Sequence, residues 1–179
     1  MRNVYLVGLP GSGKTTVGRL AASRLGCPWV DLDRLIEQRE QASVPDLFAL
    51  GEDWFRERET AALKAVIDAP GGKIVATGGG IVEREENRRL LQNEFVIFIH
   101  RNLYQIHRTL RTDRRPLLRK DSSVLYALAK RRRGWYEEIA DVKVTNNKSL
   151  RRCVEKLVTA ITEQEKKYET ECSKEREFE

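Results

Sequence analysis

Residues 8 to 15 read Gly-Leu-Pro-Gly-Ser-Gly-Lys-Thr, directly after the apolar run Val4–Val7 and at the head of an amphipathic stretch from Lys14 to Leu25. Two glycines five apart, closed by Lys and Thr and set between a strand and a helix, constrain this chain more than any other feature. Glycines let successive backbone N–H groups converge on one point, and the positive end of the following helix faces the same point. The segment is thus predicted to cradle phosphate: Gly11, Ser12 and Gly13 line the loop, Lys14 reaches the β and γ phosphates, and the Thr15 hydroxyl is placed to ligate Mg²⁺. A plain Gly-rich strand-to-helix turn is the competing reading, and the Lys-Thr ending argues against it.

Short apolar runs recur along the chain with helical periodicity between them. The runs are Val4–Val7, Trp29–Val30, Ile74–Ala76, Phe95–Ile99 and Val142–Val144. Helices are expected over Lys14–Leu25, Asp33–Glu40, Val44–Ala69, Arg84–Gln92, Leu103–Leu110, Ser123–Glu138 and from Leu150 onward. This alternation predicts an α/β protein, a three-layer α/β/α sandwich around a five-stranded parallel sheet. At 179 residues the chain suits one domain, taken here as residues 1–162. The polar, basic stretch around Pro116 is expected to form a mobile lid over about residues 109–120. Residues 163–179 are a charged tail that either extends the last helix or frays.

Charge narrows the partners. The chain holds 33 Lys and Arg against 27 Asp and Glu, and the tail from Glu163 accounts for seven of the acids and four of the bases, leaving 29 bases against 20 acids in the body. A basic body attracts anions, which include nucleotides, acidic metabolites and nucleic acid. No apolar run reaches the roughly 18 residues that cross a bilayer, so no membrane role is expected. Cys27, Cys153 and Cys172 have no paired spacing, which fits free thiols in the reducing cytoplasm.

The loop alone does not say what receives the phosphate. Asp31 and Asp33 stand at the end of the second apolar run, at the sheet edge where open α/β folds gather ligand contacts. There Asp31 can approach the metal, and Asp33 can take a substrate hydroxyl and its proton. Either can instead merely cap the helix that follows. Arg56, with Glu52 one turn before it and Glu59 three residues after, reads on its own as a surface ion-pair partner. Gly78-Gly79-Gly80 follows the third run, and three glycines there permit a close backbone approach to a ligand. Arg115-Pro116-Leu117-Leu118 and the run Lys130–Arg133 add cations that are either a solvated basic face or groups delivered to a transferring phosphate.

Taken together these pieces resemble shikimate kinase, a family among the nucleoside-monophosphate-kinase-like P-loop proteins. The resemblance runs from about Asn3 to about Asn147 through Gly8–Thr15, Asp31-Leu32-Asp33, Gly51-Glu52 with Phe55-Arg56 and Glu59, Ala76–Gly80, Arg115–Leu118, and Arg132 with Tyr136–Asp141. It implies transfer of the γ-phosphate of ATP to the 3-hydroxyl of shikimate, with Mg²⁺ as cofactor, in a cytoplasmic monomer. Lys14, Asp33 and Arg115 would be catalytic. ATP would be held by Gly11, Ser12, Gly13, Lys14, Thr15, Thr16, Arg108 and Arg115. Arg108 would lie against adenine, with residues 145–149 on its other side. Shikimate would be bound by Asp33, Arg56, Gly78, Gly79, Gly80 and Arg132, the two arginines on its carboxylate. Thr15 and Asp31 would attend the metal.

The chain departs from the family pattern at three points. Gly134-Trp135 stands where the family usually has Pro-Leu, Arg133 leaves the substrate arginine ambiguous by one residue with the spacing to Tyr136 favouring Arg132, and Gln41 replaces a common glycine. Trp54 and Trp135 adjoin the two arginines, as pocket lining or as core. His100 and His107 receive no role. A gluconate or nucleotide kinase on the same scaffold is the nearest rival; two arginines and an aspartate suit a hydroxylated carboxylate better than a nucleobase. A nucleic-acid-binding P-loop protein is the rival of another class, and no aromatic-basic interleaving supports it.

Overall fold

A computed structural model describes residues 1–110 and 122–176; the core of the expected lid, including Arg115, lies outside the described residues. Five strands, β1 Val4–Val7, β2 Trp29–Asp31, β3 Ile74–Ala76, β4 Phe95–His100 and β5 Val142–Thr145, form one sheet in the order β2-β3-β1-β4-β5. Every pairing is parallel. The central strands β1 and β3 are buried throughout, whereas the edge strands β2 and β5 are only partly covered. Continuous apolar runs are what parallel strands require when helices cover both faces.

The described helices are α1 Lys14–Leu25, α2 Leu32–Glu40, α3 Val44–Leu50, α4 Glu52–Asp68, α5 Glu85–Leu91, α6 Leu103–Leu110, α7 Ser122–Ile139 and α8 Leu150–Arg176, with a short 3₁₀ turn at Ile81–Glu83. Side chains alternate across each strand, so the sheet divides the core in two. Val4 and Leu6 pack with Val17 and Ala21 of α1 and with Leu157 and Ile161 of α8. Tyr5 and Val7 face Ile36, Leu63, Leu91 and Leu125 from the helices of the other layer. At about 1.5–3 kcal/mol for each fully buried large apolar side chain, these two clusters hold the strands in place.

One expectation changes and one alternative is decided. The single helix expected over Val44–Ala69 is two, because Gly51 takes φ 139° and ψ 139°, a conformation outside any helix. Ser43 caps the first of the pair, accepting from the Asp46 amide at 3.4 Å. The resulting α3–α4 corner turns Arg56 inward. The tail, for its part, extends the last helix as far as Arg176, and Glu165 on that extension accepts the Arg2 amide at 2.9 Å. Residues 109 and 110, counted in the expected lid, close α6.

Candidate active site

All five strands deliver their carboxyl ends to one edge. There Asp31 pairs with Ala76 across β2 and β3, and His100 pairs with Thr145 across β4 and β5. The phosphate loop leaves β1 at the middle of this edge, and its Gly8, Gly11 and Gly13 take positive φ, as a loop that turns several N–H groups inward demands. Lys14 is only 7% exposed, and its Nζ donates to the carbonyls of Gly8 at 2.7 Å and Leu9 at 3.0 Å. The ammonium therefore lies over the loop itself.

The Thr15 hydroxyl donates to Asp31 Oδ2 at 2.8 Å, and Asp31 Oδ1 accepts the Arg34 amide at 3.2 Å. Asp31 is thus helix cap and neighbour of the loop hydroxyl at once. Two hard oxygen donors side by side suit Mg²⁺, which favours a site completed by phosphate and water over an all-protein cage. Among the described residues no group of three or more His, Cys, Asp or Glu that could hold a metal is found.

Beside the loop lies a second, side-chain-rich concavity. A Cβ added at Gly78 would stand 2.7 Å from Asp33 Oδ1 and 2.7 Å from Glu59 Oε1; one at Gly80 would overlap the Arg56 guanidinium; one at Gly79 would come within 2.6 Å of Pro10 Cδ. The three glycines are therefore spaces filled by other groups. Gly79 is also where this concavity touches the phosphate loop.

Arg56 pairs with both neighbours foreseen from its helix, Glu59 at 2.7 Å and Glu52 at 3.1 Å, yet it is 6% exposed and Glu59 is fully buried. The expectation of a surface pair is corrected by the inward turn of α4. Phe48 stacks on Phe55 at 4.3 Å, and the Arg56 guanidinium lies 5.3 Å from the Phe48 ring. Burial pushes the Glu59 carboxyl up to about 7, with Arg56 pulling the other way and Asp33 adding to the rise. Arg56 is raised: burial, the largest single influence, lowers it, and Glu59 with Glu52 outweighs burial. Both directions hold together, since the arginine keeps its proton while the carboxyl sits at its own titration point.

Arg132 on α7 is 6% exposed; its Nε bonds Glu83, and one Nη donates to the Gly79 carbonyl at 3.1 Å. The Tyr136 hydroxyl donates to the same carbonyl. Arg133 points outward to Glu137 at 3.2 Å. Residues 132 and 136, four apart, share the helix face that meets Gly79, and Arg133 does not. Asp33, Arg56, Arg132 and Gly78–Gly80 are thereby brought together from four separate segments.

A cleft of about 530 Å³ runs from Gly13 and Thr16 between Arg108 and residues 146–148. Arg108 and residues 146–148 thus line one cleft. Gln105 donates to the Asn147 carbonyl at 2.6 Å and braces that wall.

The contacts of several side chains at the site escaped the sequence reading. Arg101 donates to the Gly11 carbonyl at 3.2 Å, and Asn146 Nδ2 donates to the Ser12 carbonyl at 2.9 Å. Each stands one residue beyond a strand's end, so the edge rule applied to Asp31 could have found both. Glu59 and Tyr136 belong to the family motifs, but burial gives them their contacts. Trp54 and Trp135 pack against the core with Arg58 and Arg88 over their rings, at 3.8 Å and 4.8 Å.

Known proteins resemble this chain over most of its length. The family described as shikimate kinase matches residues 10–162. A shikimate kinase of Symbiobacterium thermophilum is 44% identical over 169 residues, 90% of this chain and 97% of that protein. One from Marinomonas sp. is 39% identical over 89% of this chain and 91% of its own length. Among solved structures, a shikimate kinase from Acinetobacter baumannii in complex with shikimate superposes with a TM-score of 0.83 at 35% identity, covering 92% of this chain and 94% of that one. A gluconokinase from Sinorhizobium meliloti, at TM-score 0.65 and 16% identity over 95% of this chain and 97% of its own, shares the fold.

Proposed function

This chain belongs to the shikimate kinase family, and from that premise we propose how its own residues divide the work. The enzyme transfers the γ-phosphate of ATP to the 3-hydroxyl of shikimate. What supports the assignment of the acceptor pocket is one observation: two buried arginines and Asp33 converge on the Gly78–Gly80 turn, which itself abuts Pro10 of the phosphate loop. Planar guanidinium groups from two directions hold and orient a carboxylate. Asp33 then takes the hydroxyl and accepts its proton as the oxygen–phosphorus bond forms and the bond to the β-phosphate oxygen breaks.

Lys14 exchanges its bonds to the Gly8 and Leu9 carbonyls for phosphate oxygens. Gly11, Ser12, Gly13 and Thr16 line the nucleotide path, and Arg108 meets the base across from residues 146–148. Thr15 and Asp31 would hold Mg²⁺, which would supply positive charge beside the transferring phosphate. Arg115 supplies the further cation by family resemblance. The same reading makes residues 1–162 one catalytic domain and the protein a cytoplasmic monomer.

The test is ADP release by the purified protein with Mg²⁺ and each of shikimate, gluconate and AMP, followed by phosphorus NMR of the product. Turnover with shikimate and a phosphate on its 3-oxygen are expected. Turnover with gluconate or AMP in its place sinks the acceptor assignment while leaving the nucleotide half intact.

A further inference from the structure

Arg132 is gripped from a single segment of the chain. The turn Gly78–Gly80 runs directly into the 3₁₀ turn Ile81–Glu83, which closes with the Glu83 amide donating to the Gly80 carbonyl at 2.9 Å. From this segment the Gly79 carbonyl accepts one Nη of Arg132 at 3.1 Å, and the Glu83 carboxylate accepts its Nε. Two bonds at different nitrogens of a planar guanidinium fix its plane as well as its place. The group carries five N–H donors, so these bonds leave others for a substrate carboxylate.

Glu83 is built into the fold. Its side chain is only 15% exposed, and Arg132 is buried. Burial raises the Glu83 carboxyl, but the bonds from Arg132 and Arg131 outweigh it and hold the group below its ordinary value. The backbone beneath is clamped as well: Arg88 of α5 donates to the Val82 and Glu83 carbonyls at 2.6 Å and 3.4 Å. The same guanidinium lies over the ring of Trp135 on α7, three residues after Arg132. The turn is thereby fastened to the helix that carries the arginine.

An acid beside a substrate arginine would by itself cancel the charge offered to the substrate. Arg131 removes that conflict. It donates to the same oxygen, Glu83 Oε1, at 2.5 Å from a side chain that is 54% exposed. Glu83 and Arg131 together are neutral, so Arg132 keeps its attraction for an anion. Arg133 takes no part, being paired with Glu137.

We propose that Glu83 is a positioning residue of the acceptor pocket: it ties the Arg132 guanidinium to the Gly78–Gly80 turn, with Arg131 as the counter-charge that preserves the pull of Arg132 on the substrate carboxylate. Glu83 acts through Arg132 and does not touch the substrate. The proposal rests on the carboxylate-binding role given to Arg132 above.

Steady-state kinetics and calorimetry test it. Glu83→Ala is expected to lower kcat/KM for shikimate about tenfold, as for losing a bond that orients a charged group. The loss should fall on KM, with kcat within about twofold of the parent, because the carboxylate is held equally before and during transfer. Glu83→Gln keeps an acceptor and loses the charge, for an expected loss of about threefold, and Arg131→Ala, on the exposed partner, about twofold. ADP affinity by calorimetry should stay within about twofold of the parent in all three. A double-mutant cycle separates positioning from mere support: in an Arg132→Met background Glu83→Ala should cost less than about twofold more, because the group it positions is gone. Should Glu83→Ala not fold, Glu83→Gln, which has the same size, takes its place in the cycle. Unchanged or improved kcat/KM on removing Glu83, or an equal loss with and without Arg132, overturns the proposal and leaves the role of Arg132 standing. A parental kcat/KM in Arg132→Met alone would overturn that role and the proposal with it.

Discussion

The phosphate loop and the acceptor pocket lie side by side, touching where Gly79 meets Pro10, yet they are built by opposite means. The loop is eight consecutive residues whose work is done by backbone N–H groups and one lysine, and its shape follows from positive-φ glycines. The pocket draws charged side chains from α2, α4 and α7 and buries them: Arg56 and Arg132 are each 6% exposed and Glu59 is fully covered. Backbone donors keep their charge and position whatever the pH. A buried carboxyl among arginines does not, and Glu59 is pushed up to about 7. One region is therefore legible locally and rigid in its chemistry, whereas the other depends on packing and is open to titration.

The largest expected effect lies where the two regions hand over the phosphate. Lys14→Ala and Asp33→Asn should each lower turnover by about a thousandfold or more, the scale of losing a group that acts only in the transition state. Melting temperatures close to the parent must accompany that loss. Near-normal turnover in the Asp33 variant would show that the pocket does not supply the base.

Gly79→Ala tests the seam. An added Cβ meets the Pro10 ring at 2.6 Å, and a proline held in a tight loop cannot swing away as a flexible side chain can. Both KM values should rise, with kcat/KM down by about tenfold or more, the cost of about an ångström of misplacement between reacting groups. If only the shikimate KM rose, the two regions would be independent despite their contact.

Arg56→Lys and Arg132→Lys sharpen the contrast from the pocket side, since lysine keeps the charge and loses the planar fork. Shikimate affinity should fall by about tenfold or more in each, roughly 1.5–3 kcal/mol for a bond to a charged group, while ADP affinity by calorimetry stays level. Arg133→Lys, on the exposed neighbour, should change neither. A loss in the Arg133 variant with none in Arg132→Lys would reverse the register.

The smallest effect is the pH dependence of stability. Glu59 holds its proton to about 7 in the folded protein against an ordinary 4.5. Between those values the folded state binds more protons than the unfolded, so stability falls as pH rises through that window. Glu59→Gln has no such titration. Its melting temperature should gain on the parent between pH 5 and pH 8; a constant gap between the two melting curves would mean that Glu59 is ionised throughout.

How much of this was readable beforehand depended on how local the cause was. The apolar runs marked all five strands, and the loop declared its phosphate chemistry from spacing alone, because strand periodicity, loop glycines and a helix N-terminus act over a few residues. The family motifs named Arg56 and Arg132 but could not show why Arg132 and not Arg133 meets Gly79. That follows from the rotation of α7, which puts Tyr136 on the same carbonyl. Arg56 looked like a surface ion-pair partner because its neighbours at i−4 and i+3 are acids. Only the break at Gly51 and the packing of α4 under the glycine turn decide that the pair is buried.

By itself, then, the sequence determined the parallel sheet, the phosphate loop, and the types of charge available to an acceptor. The tertiary structure decided which of those charges are desolvated, which share a carbonyl, and that Arg101 and Asn146 brace the loop from the ends of β4 and β5. Burial and contact between segments far apart in the chain are properties of the packed whole, and they set the strength of an ion pair and the proton affinity of a carboxyl.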